Sequence, residues 1–372
     1  MVKQHPHNNR KFFGTKIRGR DPIVFSLALL ALLFQAVSCK KKHPDETTTP
    51  DKLQNGILVL NEGLFNLNNS SLSWINLSAS TVDDNFFEEK TGRGLGDTGN
   101  DLQRYGNKLY IVVNVSSTLE ILDATTGQSL HQASMISGST PQQPRSIAFW
   151  QNKALVSCYD GFVSVFDTAT YALVTRIQVG SNPEGLAVSN NKLFVANSGG
   201  LNTIMDSTVS VVDLTTMQET GRINVGLNPG GVCVDNQGDV YVVTRGNYAN
   251  IPSRMHKIDP NTLAVTDFGF DAGGMTLMNN NLLISYFDFG SQSSSIGLFN
   301  TITETLTSSG YLSTAGIQTL YGVHYSPATN RIYLCDAKGY TETGSVLIYS
   351  ANGTFLSSFN AGLNPSELVI YE

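Results

Sequence analysis

The chain has 372 residues, 41% hydrophobic and 15% charged, a balance typical of a folded globular protein rather than a disordered one. Its formal net charge is −6, with 24 Lys and Arg against 30 Asp and Glu, and no long basic run occurs beyond the N-terminal region. The charge therefore argues against nucleic acid as a partner.

The first 38 residues are organised like a lipoprotein signal peptide. Several basic residues between Arg10 and Arg20 precede an apolar run from Ile23 to Val37, which is too short for a stable membrane span. The run ends in Ala36-Val37-Ser38-Cys39, which resembles a lipobox, the motif in which the cysteine is diacylated and becomes the mature N-terminus. Ordinary signal cleavage beside an incidental cysteine is the alternative.

These features predict where the mature protein is held. We expect residues 1–38 to be the signal peptide, Cys39 to be lipidated, and residues 39–55 to form a polar, disordered tether. The predicted location is the bacterial outer membrane, with a lipid anchor instead of a spanning helix. Display on the cell surface and orientation toward the periplasm both remain open. The other cysteines, Cys158, Cys233 and Cys335, lie in apolar runs, so we expect buried free thiols.

A repeat of four short strands organises the rest of the chain. Its clearest copy runs from Gly180 to Gly226, where β-branched or apolar runs alternate with turn-forming residues. A polar residue closes the third strand of each copy and is expected to bond the backbone of the following turn. These residues recur every 41 to 50 positions and are Asn76, Asp123, Asp167, Asp213, Asp259, Asn300 and Ser350.

Seven copies predict an all-β fold, a seven-bladed β-propeller of four-stranded antiparallel blades over residues 56–372. The first copy lacks its first strand, and residues 363–372 match the missing strand. We therefore expect the C-terminal strand to pair into the N-terminal blade and close the ring. Four innermost strands begin with proline, which favours an extended residue before it. These pairs are Gln143-Pro144, Asn182-Pro183, Asn228-Pro229 and Asn364-Pro365.

No local catalytic or metal-binding motif is present, because the histidines are isolated and neither a nucleophile elbow nor a Cys-x-x-Cys occurs. No metal site and no cofactor are predicted. A propeller can still gather single polar residues from several innermost strands in its central channel. The candidates there are Arg145, Glu184, Asp235, His324 and Glu367.

The connections between the second and third strands are long and aromatic, and in this architecture they share one face of the ring. Exposed aromatic rings with amide and hydroxyl neighbours indicate recognition of a large, partly apolar ligand or of a protein partner. Packing of the rings over the blade ends as a lid is the alternative. The candidate binding residues are Phe65, Asn66, Tyr159, Asp160, Asn197, Arg245, Tyr248, Tyr286, Phe287, Phe289 and Tyr340.

The strands Tyr110–Asn114, Leu193–Asn197 and Tyr241–Thr244, with the corners Gly180–Gly185 and Gly226–Gly231, resemble the YVTN-type, YncE-like β-propeller repeat. With the lipobox and tether, the chain is similar to propeller lipoproteins of Gram-negative bacteria. Some of these capture corrinoids such as cobalamin at the cell surface beside a TonB-dependent transporter. The resemblance implies a non-enzymatic protein that binds a bulky nutrient ligand, with a corrinoid as ligand and such a transporter as partner.

Two other functions remain open. Related propellers include lactonases and quinoprotein-type dehydrogenases, so a periplasmic enzyme with a site in the central channel is one alternative. Three candidate channel side chains within about 4 Å of one point, with perturbed pKa values, would favour it. The other is docking on a membrane protein partner through the aromatic loops.

Overall fold

The computed structural model describes residues 52–288 and 290–372. The predicted signal peptide, Cys39, most of the tether and Phe289 lie outside the described residues. Within them, seven four-stranded antiparallel sheets are the blades of a β-propeller, as the sequence predicts. The strands are numbered β1 to β30 in chain order, and each blade is given below from its innermost to its outermost strand.

Blade 1 joins the two ends of the described chain and consists of β30 (Pro365–Tyr371), β1 (Gly56–Asn61), β2 (Ser71–Asn76) and β3 (Thr81–Asp83). Blade 2 consists of β4 (Gly99–Tyr105), β5 (Lys108–Val113), β6 (Thr118–Asp123) and β7 (Ser129–Ser134). Blade 3 consists of β10 (Pro144–Trp150), β11 (Lys153–Cys158), β12 (Phe162–Asp167) and β13 (Leu173–Gln178). Blade 4 consists of β14 (Pro183–Ser189), β15 (Lys192–Asn197), β16 (Thr208–Asp213) and β17 (Gln218–Asn224).

Blade 5 consists of β18 (Pro229–Val234), β19 (Val240–Thr244), β20 (Arg254–Ile258) and β21 (Val265–Asp267). Blade 6 consists of β22 (Gly274–Met278), β23 (Asn281–Asp288), β24 (Ser293–Asn300) and β25 (Thr305–Leu312). Blade 7 consists of β26 (Leu320–Ser326), β27 (Arg331–Asp336), β28 (Thr343–Ser350) and β29 (Phe355–Leu363). A small hairpin of β8 (Ile136–Ser137) and β9 (Thr140–Pro141) connects blades 2 and 3, and the short helix α1 (Phe86–Thr91) connects blades 1 and 2.

The C-terminal strand closes the ring as predicted. β30 pairs antiparallel with β1, and the register places Gly56 opposite Tyr371 and Val59 opposite Leu368. This pairing gives blade 1 the innermost strand that its own segment of chain lacks. It also covers the inner edge of β1, which would otherwise expose unpaired backbone groups.

The hydrophobic core is divided into seven layers, each between two neighbouring blades. The layer between blades 1 and 2 contains Leu58 and Leu60 from β1 with Leu109 and Ile111 from β5. The layer between blades 7 and 1 includes Leu368 of β30, so the closing strand contributes to packing as well as pairing. Because every blade buries both faces, second strands such as β1 and β5 are apolar along most of their length instead of alternating.

The polar residues that mark the repeat cap turns, as predicted. The carboxylate of Asp123 accepts the backbone N–H groups of Thr125 and Thr126, each at 2.9 Å. Asp167 and Asp259 make the same pair of bonds in their own blades. The recurring residues are therefore structural.

Two sequence expectations need correction. The residues before the four prolines are not extended, because Gln143, Asn182, Asn228 and Asn364 have φ between 45° and 59°. Asparagine tolerates this left-handed conformation, and the side-chain amide of Asn364 donates to the Gly63 carbonyl oxygen at 2.8 Å.

The second correction concerns the end of the tether. Leu53 packs on the first core layer, and its N–H donates to the Thr125 carbonyl oxygen at 2.7 Å. The ordered body thus begins before Gly56. Within the described residues the cysteines are free as predicted, with Cys158 and Cys335 buried and Cys233 half-buried.

Candidate functional site

The face of the propeller that carries the connections between second and third strands is called the loop face here. Because each blade has four antiparallel strands, the connection from one blade to the next also lies on the loop face. Large apolar side chains are exposed along this face, with Phe65 at 70% and Tyr248 at 68% exposure. The others are Leu67, Ile136, Leu201, Ile204, Ile251, Phe287, Tyr321 and Tyr340.

Four aromatic side chains from blades 5, 6 and 7 line one open cavity of about 800 Å³, called the aromatic cavity. They are Tyr248, Phe287, Tyr321 and Tyr340, and Arg245 and Asp271 also line the cavity. Tyr321 and Tyr340 meet edge to face with their ring centroids 5.9 Å apart. The cavity combines ring faces with a few charged groups, as ligand sites commonly do.

Tyr321 was not among the predicted binding residues. It is the second residue of β26, and Arg145 and Glu184 are the second residues of β10 and β14. Alignment of the innermost strands would therefore have placed Tyr321 at the mouth of the channel. Its hydroxyl group donates to the carboxylate of Glu62. Burial and the nearby Glu62 raise the pKa of Tyr321, so the phenol stays protonated.

Three other predicted loop residues, Tyr286, Asp160 and Phe65, lie outside the aromatic cavity. Tyr286 lines two cavities beside the aromatic cavity, and its hydroxyl group donates to the Ser309 carbonyl oxygen at 2.7 Å. Asp160 pairs with Arg176 at 2.5 Å in a separate cavity on blades 3 and 4. Neither Asp160 nor Phe65 lines the aromatic cavity.

The Asn197 side chain and the Asn66 backbone belong to the scaffold. Asn197 is fully buried, and its amide donates to the hydroxyl groups of Thr208 and Ser210 at 2.9 Å each. It therefore joins two strands of blade 4 and cannot reach a ligand. The backbone N–H of Asn66 donates to Asp97 at 3.1 Å, which holds the loop of blade 1.

The aromatic cavity adjoins the mouth of the central channel, an open cavity of about 490 Å³ that shares Arg245, Gly273 and Tyr321 with it. A charged network fills this mouth. Glu184 accepts Arg145 Nε at 3.2 Å and Arg245 Nη1 at 3.3 Å, and the Tyr159 hydroxyl group also donates to it. Burial alone would raise the pKa of Glu184, but the two guanidinium groups and Tyr159 lower it.

A second cluster in the channel contains Asp101, Glu367 and His324. The Asp101 carboxylate accepts the Ile147 N–H at 2.9 Å, and His324 Nδ1 lies 3.8 Å from Glu367 Oε2. Burial, followed by the neighbouring Glu367, raises the pKa of Asp101 to about 8, and burial raises the pKa of Glu367 to about 8. Burial lowers the pKa of His324 to about 4, so the imidazole is neutral at pH 7.

Asp235 does not line the channel, contrary to the sequence expectation. It follows the last residue of β18, and its carboxylate accepts the N–H groups of Gln237 and Asp239 at 2.9 Å each. Asp235 was expected on an innermost strand, whereas it caps the turn that leaves the strand.

We expect the Asp101 and Glu367 carboxyl groups to make the protein less stable as pH rises. Their pKa values lie above the ordinary values of about 4, so the folded state binds more protons than the unfolded state between pH 4 and 8. His324, whose pKa is lowered, adds stability above about pH 6.5 and loses it toward pH 4. Comparison of pH 6.5 with pH 9 therefore excludes His324. The buried thiols, whose pKa values are raised, also lower stability toward pH 9, and they contribute equally to the wild type and to Asp101→Asn.

Urea unfolding would measure the unfolding free energy at these two pH values. From pH 6.5 to pH 9, the wild type should lose on the order of 1 kcal/mol more unfolding free energy than Asp101→Asn, allowing for screening by channel water. The exposed Glu89, changed to Gln, is a matched control that should lose as much as the wild type. Equal losses for the wild type and Asp101→Asn would show that the carboxyl pair does not titrate in this range.

Neither a metal cluster nor a spanning helix is found in the part of the chain that the structure describes. Across residues 52–288 and 290–372, no three His, Cys, Asp or Glu side chains are grouped so as to hold a metal ion. No helix among the same residues has the length and apolar character needed to cross a membrane.

Together, these features define a seven-bladed β-propeller with an open aromatic cavity on its loop face, above a charged channel mouth. A family model described as a domain of unknown function, DUF5074, matches residues 55–362. The chain therefore belongs to the DUF5074 family.

Solved structures share the fold at low sequence identity. A quinoprotein alcohol dehydrogenase-like protein from Bacteroides thetaiotaomicron has a TM-score of 0.65 at 14% identity, over 86% of this chain and 78% of that chain. Hydrazine synthase from Kuenenia stuttgartiensis has a TM-score of 0.58 at 15% identity, over 70% and 85%. The computationally designed Ika8 protein has a TM-score of 0.53 at 15% identity, over 85% and 91%. These likenesses establish the fold alone, and no curated protein matches the chain.

Proposed function

We propose that this protein is a lipid-anchored binding protein that captures a bulky, flat ligand in the aromatic cavity of its loop face. The observation that carries the proposal is the convergence of Tyr248, Phe287, Tyr321 and Tyr340 on one solvent-open cavity. A lid over the blade ends would bury these rings, yet Tyr248 and Tyr340 remain 68% and 48% exposed. Exposed rings around a concave surface favour ligand capture.

A corrinoid such as cobalamin is the ligand that the resemblance to surface propeller lipoproteins implies. A corrinoid is a broad ring that a narrow pocket would exclude, and the aromatic cavity is open at about 800 Å³. A TonB-dependent outer-membrane transporter is the corresponding partner. Pull-down from detergent-solubilised outer membranes tests that partnership separately from ligand binding.

The first described residues lie at the end of the propeller opposite the loop face. Leu53 is bonded to Thr125 in the turn between β6 and β7, at the end of the propeller opposite the loop face.

Titration calorimetry with cyanocobalamin tests the specific ligand. We expect binding in the wild type and about 10-fold weaker binding, about 1.4 kcal/mol, for each of Tyr248→Ala and Tyr340→Ala, because each removes an exposed ring face. Phe355→Ala removes an equally exposed ring from the outermost strand of blade 7 and should bind as the wild type does. Absence of both heat and thermal shift at micromolar cobalamin would remove the corrinoid claim.

A periplasmic enzyme of lactonase or quinoprotein-dehydrogenase type is the second candidate. The observation favouring it is that Arg145 and Arg245 both lie within 3.3 Å of the Glu184 carboxylate, beside carboxyl groups with raised pKa values. Only two of the five channel candidates meet there, however, since His324 and Glu367 form the other cluster and Asp235 caps a turn. Turnover of lactones or alcohols by the purified protein would favour the enzyme, and loss of turnover in Asp101→Asn would locate the site.

A further inference from the structure

We propose that Arg245 is an anion-recognising subsite in the wall of the aromatic cavity, which selects flat ligands that carry an ionised carboxylate or phosphate group. This inference rests on the proposed capture of a flat ligand and adds a chemical requirement to it. Ring contacts alone would accept neutral and charged rings of the same shape, whereas a guanidinium group distinguishes them.

The position of Arg245 is suited to this role. It directly follows β19, and its side chain lines both the aromatic cavity and the channel mouth. Its side chain is 34% exposed, so a ligand in the cavity could reach the guanidinium group. The remaining burial would strengthen a charged hydrogen bond compared with one in open water.

Most of the hydrogen-bonding capacity of Arg245 is unused within the described residues. A guanidinium group has five N–H donors, and only Nη1 of Arg245 has a protein acceptor there, Glu184 at 3.3 Å. Glu184 is shared, because it also accepts Arg145 Nε at 3.2 Å and the Tyr159 hydroxyl group. Two guanidinium groups thus share the Glu184 carboxylate.

The other acidic groups near the cavity already have partners. Asp271 lines the cavity and forms an ion pair with Arg254. Glu62 accepts the Tyr321 hydroxyl group, and its charge interacts with Arg145 rather than with Arg245. Neither Asp271 nor Glu62 is therefore a partner of Arg245.

The Arg245 guanidinium group packs closely against Gly230. A Cβ atom at position 230 would lie 2.6 Å from Cζ and 2.8 Å from Nε of Arg245. The absence of a side chain thus lets the guanidinium group lie against the backbone of β18. Because the obstructing atoms belong to the end of a flexible side chain, Gly230→Ala should displace the guanidinium group while leaving the fold intact.

A pair of fluorescent probes tests the subsite. Pyrenebutyrate and pyrenebutanol have the same flat ring and differ in one ionised carboxylate, so their affinities compare an anion with a neutral group. We expect the wild type to bind pyrenebutyrate on the order of 10-fold more tightly, and added salt to reduce this preference. Arg245→Gln and Gly230→Ala should both lose the preference while still binding pyrenebutanol. Arg222→Gln, which changes an arginine on the outermost strand of blade 4, should retain it.

The outcomes separate this inference from the proposed function. Equal binding of both probes by the wild type would overturn the anion subsite and leave capture of flat ligands standing. A preference that survives in both Arg245→Gln and Gly230→Ala would also overturn it. Failure of both probes to bind would count against the aromatic cavity as a site for flat ligands and against the subsite together.

Discussion

Deletion of residues 364–372 is expected to abolish cooperative folding, because it removes β30 from blade 1. The strand buries Leu368, Val369 and Tyr371 in the two core layers that flank blade 1. Loss of a large buried side chain costs roughly 2–5 kcal/mol, and the whole folding free energy of a protein is typically about 5–15 kcal/mol. The deletion also exposes the inner edge of β1, which is prone to pair with other chains.

Thermal unfolding and size-exclusion chromatography of the truncated protein would measure this effect. We expect aggregates or a chain without a cooperative transition, whereas removal of the exposed Glu372 alone should leave both measurements unchanged. A soluble monomer that melts cooperatively near the wild-type temperature would show that the ring does not depend on its C-terminal strand.

Replacement of Glu184 by Gln should produce the second large effect, a loss of about 2–3 kcal/mol of unfolding free energy at pH 7. The substitution keeps the shape of the side chain but leaves Arg145 and Arg245 without their shared carboxylate. Breaking a buried pair costs more, but here the two arginine side chains are partly hydrated. Because the pKa of Glu184 is lowered, its stabilisation is present above its ordinary value and is lost on acidification.

Urea unfolding of Glu184→Gln and the wild type at pH 7 and near pH 3 would test this pH dependence. The difference between the two proteins should be largest at pH 7 and shrink at pH 3. Glu219→Gln removes the carboxylate of an exposed pair with Arg222 and should change the unfolding free energy by less than about 1 kcal/mol. A difference of the same size at both pH values would mean that the charge of Glu184 does not contribute.

The sequence predicted which face of the propeller carries the candidate site, but not which side chains contact one another there. Phe287, Tyr248 and Tyr340 were expected on the loop face and do share one cavity, yet Tyr321 and Glu62 were not identified as their neighbours. The Tyr321 and Glu62 side chains belong to residues 259 positions apart, and ring closure brings them together. A local pattern contains no information on such a contact.

The sequence also did not predict the direction in which some side chains point within a repeat. Asn197 looked like an exposed loop residue, but it is fully buried in bonds to Thr208 and Ser210. Asp235 was expected in the channel, but it caps the turn after β18. In both cases a strand ends at or just before the residue, and a shift of one residue exchanges an inward for an outward direction.

The amino-acid sequence by itself determined the number of blades, the four-stranded pattern, the turn caps and the closing strand. These features depend on strand periodicity, turn-forming residues and repeat spacing, which act within a few residues or recur in every copy. The tertiary structure alone decided which loop side chains meet in the aromatic cavity and how Arg245, Arg145 and Glu184 share charge. Those contacts join different blades, so they exist only once packing between blades has fixed the ring.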